Sequence, residues 1–314
     1  MKSSANPNPG ETDLLLVNPG AGGGRAGASL PNLRQFAIRQ CWNLEICVTQ
    51  SAADLVAKAL QAASRCQKRI FVLGGDGTFQ LLVNSVACHP QVIVGVIPAG
   101  AGNDLAAALG LPADPVRAAA LLLEGEVCEV DVVRVRTSDG KQCLYTSGGG
   151  VGLDAEAVRH ANGAFRNMPG RSRYLFAVMR ALLGFQPLRA RITIAANESN
   201  TFEAMTLLVA VLNTPSYGGG VYLAPEARVD DGNLEVVLLE ELSILEILTL
   251  LPSFALRGKL KTPWLRRFSA RQVRIETEPP SLFHGDGEFV GLTPVEISVV
   301  PKAVRVLRAA RKAT

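Results

Sequence analysis

The chain has 314 residues, 48% of them apolar and 19% charged, with a formal net charge of +4. That length allows two domains with sizeable cores, and the composition is that of an ordinary soluble globular protein. The charge is too small to point to nucleic acid, so no nucleic-acid partner is expected.

Met1–Glu11 is polar and proline-containing with no apolar core, and reads as a loose tail rather than a signal peptide. Leu14–Val17 reads as a buried strand and Asn18–Gly24 as the loop after it, with a helix starting near Leu30. Leu44–Val48 is a second strand. Ser51-Ala52-Ala53-Asp54 resembles a capping box ahead of an alanine-rich helix. Ile70–Leu73 runs into Gly74-Gly75-Asp76-Gly77-Thr78, and Val92–Ile97 runs into Gly100-Ala101-Gly102-Asn103-Asp104; each turn leads to a helix-like segment. A further helix spans Pro115–Leu123. Apolar strands separated by helices imply a parallel sheet covered on both faces.

After about Val130 strand signals dominate: Asp131–Arg136, Cys143–Ser147, Arg189–Ala195, Met205–Leu212, Leu234–Leu239, Val273–Thr277 and Val295–Val299. This predicts a mainly β second domain over residues 131–299, after a first domain over 1–130, with 300–314 free to return to the first. Tyr174–Phe185 carries Leu175, Val178, Leu182 and Phe185 at helical spacing, a stripe that reads as core before it reads as a lipid-contact surface.

Two blocks are basic without any acid: seven arginines between Ala157 and Asn197, and seven Lys or Arg between Ile247 and Ile275. Such blocks attract an anionic membrane, although each alone is equally a solvated basic face. The six cysteines, Cys41, Cys47, Cys66, Cys88, Cys128 and Cys143, lack metal spacing and read as free, buried thiols in a reducing compartment. The apolar stretch Leu242–Leu256 is broken by Glu246 and Pro252 and is too short to span a bilayer. The expected location is cytoplasmic, with any membrane contact peripheral.

The chemistry concentrates at strand ends. Glycine lets a backbone approach a phosphate closely, and a helix N-terminus adds partial positive charge. Gly74, Gly75 and Gly77 offer both, with Asn18–Gly24 as a second wall. Open α/β sheets bind ligands beyond the carboxyl ends of their strands, where all three loops fall. There is no Walker loop and no clean GxGxxG followed by a ribose-binding acid, so dinucleotide binding is weakly supported. Asp76 and Asp104 sit where an anion is expected, which suits carboxylates that hold Mg2+ directly or through water. Asp131 could join them or be a plain capping residue, with the two readings even. Late in the chain, His284-Gly285-Asp286-Gly287-Glu288 offers Asp286 and Glu288 as acceptors of a hydroxyl proton, but composition alone favours an Asp-Gly hairpin. There His284 reads as a local hydrogen-bonding residue. Pro225–Gly232 reads as a turn before it reads as a cation loop.

These motifs, in order, resemble the diacylglycerol kinase catalytic-domain family, with sphingosine and ceramide kinases as relatives. The match takes in Asn18-Pro19, Gly74–Thr78, Gly102-Asn103-Asp104, Val151-Gly152-Leu153-Asp154-Ala155, Tyr217-Gly218-Gly219-Gly220, Ala224-Pro225 through Asp230-Asp231-Gly232, and Asp286-Gly287-Glu288. The resemblance implies a Rossmann-like α/β nucleotide domain and a β-sandwich-type lipid domain, with ATP and Mg2+ in the cleft between them. It assigns nucleotide contacts to Asn18, Pro19, Gly20, Ala21 and Gly22, to Thr49, to Gly74, Gly75, Asp76, Gly77 and Thr78, and to Ala101 and Asn103. It matches Asp76, Asp104 and Asp131 to a Mg2+–water network. Arg228, Asp231 and Asn233 match a structural Mg2+ loop in which Asp231 gives its side chain and the other two their carbonyls. Asp286 matches the proton acceptor, with Glu288 beside it.

Ala101 stands where the family pattern has Thr, so one hydroxyl is missing, a loss on the order of 1 kcal/mol. Around Ser147–Gly150 an Asn common in relatives is also absent. The resemblance implies a lipid kinase acting at a membrane surface, most simply on diacylglycerol, with a homodimer left open. A soluble-substrate kinase of the NAD kinase type and a non-catalytic nucleotide or lipid binder are the alternatives.

Overall fold

The computed structural model describes residues 12–165, 168, 172–194, 201–242, 246 and 263–310. The tail Met1–Glu11, the strand end at Ala195, nearly all of Leu242–Leu256 and the segment 311–314 lie outside the described residues. So do Arg166, Arg171, Arg257, Lys259 and Lys261 of the two basic blocks. The chain divides into two compact units: the first runs to Val130 and resumes at Lys302, and the second is Asp131–Pro301.

The first unit is built on parallel strands β1 (Asp13–Val17), β2 (Leu44–Val48), β3 (Arg69–Gly74) and β4 (Ile93–Pro98), in the order β4-β3-β1-β2. Every residue of β1 and β3 is buried, as expected for strands covered on both faces. The helices are α1 (Arg25–Arg39), α2 (Ala52–Ser64), α3 (Asp76–Val86), α4 (Asp104–Ala108) and α5 (Pro115–Leu123). Helix α1 starts earlier than the expected Leu30: Gly22, Gly23 and Gly24 all take positive φ and turn the chain directly into a helix. Ser51 accepts the Asp54 N–H at 3.1 Å and Asp54 accepts the Gln50 N–H at 2.9 Å, a capping arrangement closed one residue early. Helix α5 follows the sequence reading, with Asp114 as N-cap and Pro115 at the first position. At the sheet's lower end the buried Asp13 carboxylate takes the Arg69 Nε–H at 2.7 Å and the Trp42 indole N–H at 2.6 Å.

The second unit is antiparallel. It comprises β5 (Glu126–Thr137, entering from the first unit), β6 (Gln142–Tyr145), β7 (Gly148–Gly152), α6 (Leu153–Asn162), α7 (Ser172–Leu182), β8 (Leu188–Ile194), β9 (Thr201–Leu212), β10 (Leu234–Glu240), β11 (Leu265–Ala270), β12 (Gln272–Glu278), β13 (Leu282–Gly285), β14 (Glu288–Leu292) and β15 (Val295–Arg308, leaving for the first unit). One path of pairing runs β14-β13-β7-β9-β8-β12-β15, and β9 also pairs β10, which pairs β11. Inward residues of these strands share one core that includes Val135, Tyr145, Val151, Ile192, Val211, Val236, Ile275, Phe283 and Ile297. Alternation is clearest in β8, where Leu188, Ala190 and Ile192 are buried and Arg189 and Arg191 exposed.

Two sequence readings need correction here. In α7, Val178, Leu182 and Phe185 pack on the α6–α7 core, but Leu175 is 46% exposed, because Ala177 and Ala181 occupy the closest face instead. The cysteines are all free, as expected, but none is buried: Cys41, Cys66 and Cys88 are exposed and the rest intermediate. Cys41 and Cys66 have φ of 50° and 59° just past α1 and α2, where turn-closing backbone bonds place them outside the core.

Candidate active site

In the first unit the carboxyl ends of β1, β2, β3 and β4 gather the three loops. The Asn18 N–H donates to Leu73 O at 3.1 Å and its Nδ2 to Thr78 Oγ1 at 3.1 Å, so the β1 loop is tied to the β3 turn. Pro19, Gly20 and Ala21 close the loop through their carbonyls, which accept the N–H groups of Gly27, Gly24 and Ala26. A Cβ on Gly22 would lie 2.1 Å from Ala99 O, so this loop also meets the β4 turn. Thr49, buried at the end of β2, gives both its N–H and its Oγ1 to Val17 O, at 2.8 and 2.9 Å.

Gly75 and Gly100 pack backbone to backbone: a Cβ on Gly100 would fall 2.4 Å from Gly75 Cα. Gly75 caps α3, whose first turn holds Asp76, Gly77 and Thr78. The Asp76 side chain reaches across to α4. Its Oδ2 accepts the N–H groups of Asn103 at 2.7 Å and Asp104 at 3.3 Å, and its Oδ1 accepts that of Leu105 at 3.2 Å. Asn103, at φ 62°, spends its side chain on Gly100: Oδ1 accepts the Gly100 N–H and Nδ2 donates to the Gly100 carbonyl, both at 2.8 Å. Ala101 is half-buried in this turn, and Asp104 is buried at the head of α4.

These residues fit a phosphate chain. The first-turn N–H groups of α3 have no acceptor within the helix, and that helix end carries partial positive charge. They fit Mg2+ through water. The Asp76 carboxylate accepts N–H groups of Asn103, Asp104 and Leu105, and Asp104 is buried beside it at the head of α4, so two carboxylates stand together where a hydrated cation would offset phosphate charge. Among the described residues no three His, Cys, Asp or Glu side chains are grouped as a metal site.

In the second unit Asp286 and Gly287 form the two-residue loop between β13 and β14, with φ of 49° and 88°. The hairpin and the candidate carboxylate are therefore one feature. The turn folds the Asp286 side chain back onto the segment between β6 and β7. Oδ2 accepts the Thr146 N–H at 2.7 Å and the Thr146 hydroxyl at 2.9 Å; Oδ1 accepts the N–H groups of Ser147 at 2.9 Å and Gly148 at 3.1 Å. Burial raises the Asp286 pKa, and these four bonds oppose it without reversing it. The sequence reading places Thr146 in the Cys143–Ser147 strand and gives it no site role; a threonine at a strand end carries no signal until a carboxylate over a hundred residues away is folded onto it. Glu288 is exposed, and partial burial of its carboxyl raises its pKa, opposed by Arg173 and His284.

Asp131 is buried at the start of the second unit. Its carboxylate accepts the Gly232 N–H at 2.6 Å, and its own N–H donates to Val229 O at 2.7 Å, so it anchors the 229–232 loop. On that loop Asp231 Oδ1 accepts the Asn233 N–H at 3.0 Å, while the Arg228 guanidinium lies 3.2 Å from Asp230.

Residues 13–135 match the Diacylglycerol kinase catalytic domain, and residues 149–308 match the YegS C-terminal NAD kinase beta sandwich-like domain. The chain is 31% identical over 248 residues to a diacylglycerol kinase of Mycobacterium tuberculosis, covering 79% of each. It is 28% identical to a diacylglycerol kinase of Bacillus subtilis, covering 84% of this chain and 86% of that one. It is 29% identical to the "Probable lipid kinase YegS-like" of Stenotrophomonas maltophilia, covering 84% and 86%. A diacylglycerol kinase crystal structure from Bacillus anthracis superposes with a TM-score of 0.70 at 22% identity, over 95% of this chain and 97% of that one, a likeness of fold.

Proposed function

Since the chain belongs to the diacylglycerol kinase catalytic-domain family of lipid kinases, we propose that it transfers the γ-phosphate of ATP to the hydroxyl of diacylglycerol, giving phosphatidic acid. The observation that carries this reading is the gathering of the Asn18, Gly74–Thr78 and Gly100–Asp104 loops at adjoining strand ends, held by Asn18–Thr78 and Asp76–Asn103 bonds. Those loops bind and orient the phosphates through backbone N–H groups. Asp76 and Asp104 would hold Mg2+, which would supply charge to offset the phosphates. Asp286 takes the proton of the lipid hydroxyl as the oxygen attacks phosphorus and the bond to the β-phosphate oxygen breaks.

The saturation of Asp286 favours a second assignment of the proton. All of its roughly four acceptor positions are filled, so accepting a proton means releasing one of those bonds. Glu288 is an exposed residue whose partly buried carboxyl has a raised pKa, the direction that makes it a better proton acceptor than an ordinary glutamate. Comparing Asp286→Asn with Glu288→Gln separates the two.

Peripheral contact with an anionic membrane is supported by α7. Leu175, Phe176, Met179 and the following Leu183 are exposed, Leu183 by 82%, and Arg180 is exposed beside them. No helix among the described residues is long and apolar enough to cross a membrane.

The test is transfer from labelled ATP into mixed micelles holding diacylglycerol, monoacylglycerol, sphingosine or ceramide in turn. Label in phosphatidic acid from the diacylglycerol micelles is the expected result. Transfer to a soluble acceptor without lipid, or saturable ATP binding with no phosphorylated product, overturns the reading.

A further inference from the structure

Two motifs of the second unit, Val151–Ala155 and Tyr217–Gly220, have no role in the chemistry above, yet the structure joins them at a third residue, His284. The Tyr217 hydroxyl donates to Asp154 Oδ2 at 2.7 Å and lies 2.9 Å from His284 Nε2, which is itself 3.4 Å from the same Asp154 oxygen. Because the tyrosine's one proton goes to Asp154, its oxygen accepts from His284, and Nε2 is the protonated nitrogen. The other nitrogen, Nδ1, is buried and has no hydrogen-bond partner among the described residues. The imidazole is 3% exposed. An apolar side chain of the same size would fill this space without leaving an unpaired acceptor, so filling the core does not account for histidine here.

What needs holding is a register. Strand β13 pairs β7 at only three positions: Phe283 with Val151, His284 with Gly150, and Gly285 with Gly149. Strand β7 is glycine at four of its five positions. Glycine-rich strands specify register weakly, because few side chains are displaced to the wrong face by a slip. Here a one-residue slip carries Asp286, the residue just past β13, off the Thr146–Gly148 donors. His284 stands on β13 opposite Gly150, and its partner Asp154 is in the first turn of α6, which continues directly from β7. The side-chain link therefore ties β13 to the element that ends β7, beside a short backbone pairing in which only Phe283–Val151 brings a side chain from each strand.

We infer that His284, Tyr217 and Asp154 form a buried register pin that positions Asp286, His284 acting as a positioning residue rather than a catalytic one. The inference rests on the lipid kinase reading only for its effect on turnover.

The test uses the full chain as His284→Leu, His284→Gln, Tyr217→Phe and Asp286→Asn. Glutamine restores a donor near the place of Nε2; leucine does not. Hydrogen exchange is followed at the Ser147 and Gly148 amides, the donors to Asp286 Oδ1, alongside kcat with diacylglycerol micelles and KM for ATP. Faster exchange at both amides is expected in His284→Leu and Tyr217→Phe, with kcat down by at least about ten-fold, since misplacement by an ångström costs up to roughly 100-fold. KM for ATP stays near its wild-type value, and His284→Gln recovers most of the protection and of kcat. Unchanged exchange in Tyr217→Phe, or glutamine behaving no better than leucine, overturns the pin. Wild-type turnover in folded Asp286→Asn overturns instead the placing of Asp286 at the hydroxyl, and leaves the exchange result to judge the pin separately.

Discussion

Asp286 binds its proton more tightly than an ordinary aspartate because burial outweighs the four donors around it. A base works ionised, so if Asp286 is the acceptor, the acid limb of the kcat–pH profile lies above the usual aspartate range. The sign for folding follows from the same shift. A carboxyl whose pKa is raised on folding adds stability below its unfolded value, and that contribution disappears as pH rises through the folded pKa. An acid limb that moves in Glu288→Gln and persists in a still-active Asp286→Asn transfers the role to Glu288. At the nucleotide loops the informative change is Ala101→Thr. A restored hydroxyl is worth about 1 kcal/mol, or roughly five-fold in Kd for ATP; an unchanged Kd by calorimetry removes Ala101 from the nucleotide contacts. Asp76 and Asp104 were legible as candidates because they sit in glycine turns after apolar runs, whereas Asp286 was singled out only by the family resemblance. Their partners were not legible. That Asp76 caps α4 with its carboxylate, or that Asn103 spends its amide on Gly100, follows from strands β3 and β4 lying side by side, which no local pattern encodes.

Among the elements, β7 is the one whose sequence argues against its structure. Glycines disfavour strands, and no strand was expected over Gly148–Gly152. It is a buried strand because there is no room for anything larger: a Cβ on Gly150 would sit 2.4 Å from Asp154 Oδ2 and 2.7 Å from Val209 O. Gly150→Ala is therefore expected to destabilise the protein by at least about 1–3 kcal/mol, read as a fall in the thermal midpoint, whereas Gly140→Ala, in open space, costs only the strain of its positive φ. The parallel strands were legible for the opposite reason, since continuous Leu, Val and Ile runs are what a sheet buried on both faces requires. Strands β11 and β14 were missed because they carry Arg or Glu at exposed positions, and β13 because it is only four residues long. Helix α7 was half-read: helical spacing identified the helix but did not show which of its two apolar faces the alanines would bring inward.

For the whole molecule, the exposed α7 residues bear on where the enzyme works. Replacing Phe176 and Leu183 by Ser is expected to weaken co-sedimentation with anionic vesicles at least about five-fold while leaving the thermal midpoint in place, because neither side chain is buried in the fold. Equal binding to vesicles before and after the change assigns membrane contact to another surface. The two-unit division has a consequence for biosynthesis. The first unit is not contiguous: Arg305 and Val306 of β15 lie along Ile93 and Val94 of β4, the outer strand of the parallel sheet. About 200 residues separate these partners, and at ribosomal speeds of 5–20 residues per second the sheet begun first waits roughly ten to forty seconds for its flanking strand. The second unit has its whole sequence in hand earlier. A nascent chain cut just before Lys302 would thus carry every candidate site residue and still lack the end of β15 that flanks the first unit's parallel sheet.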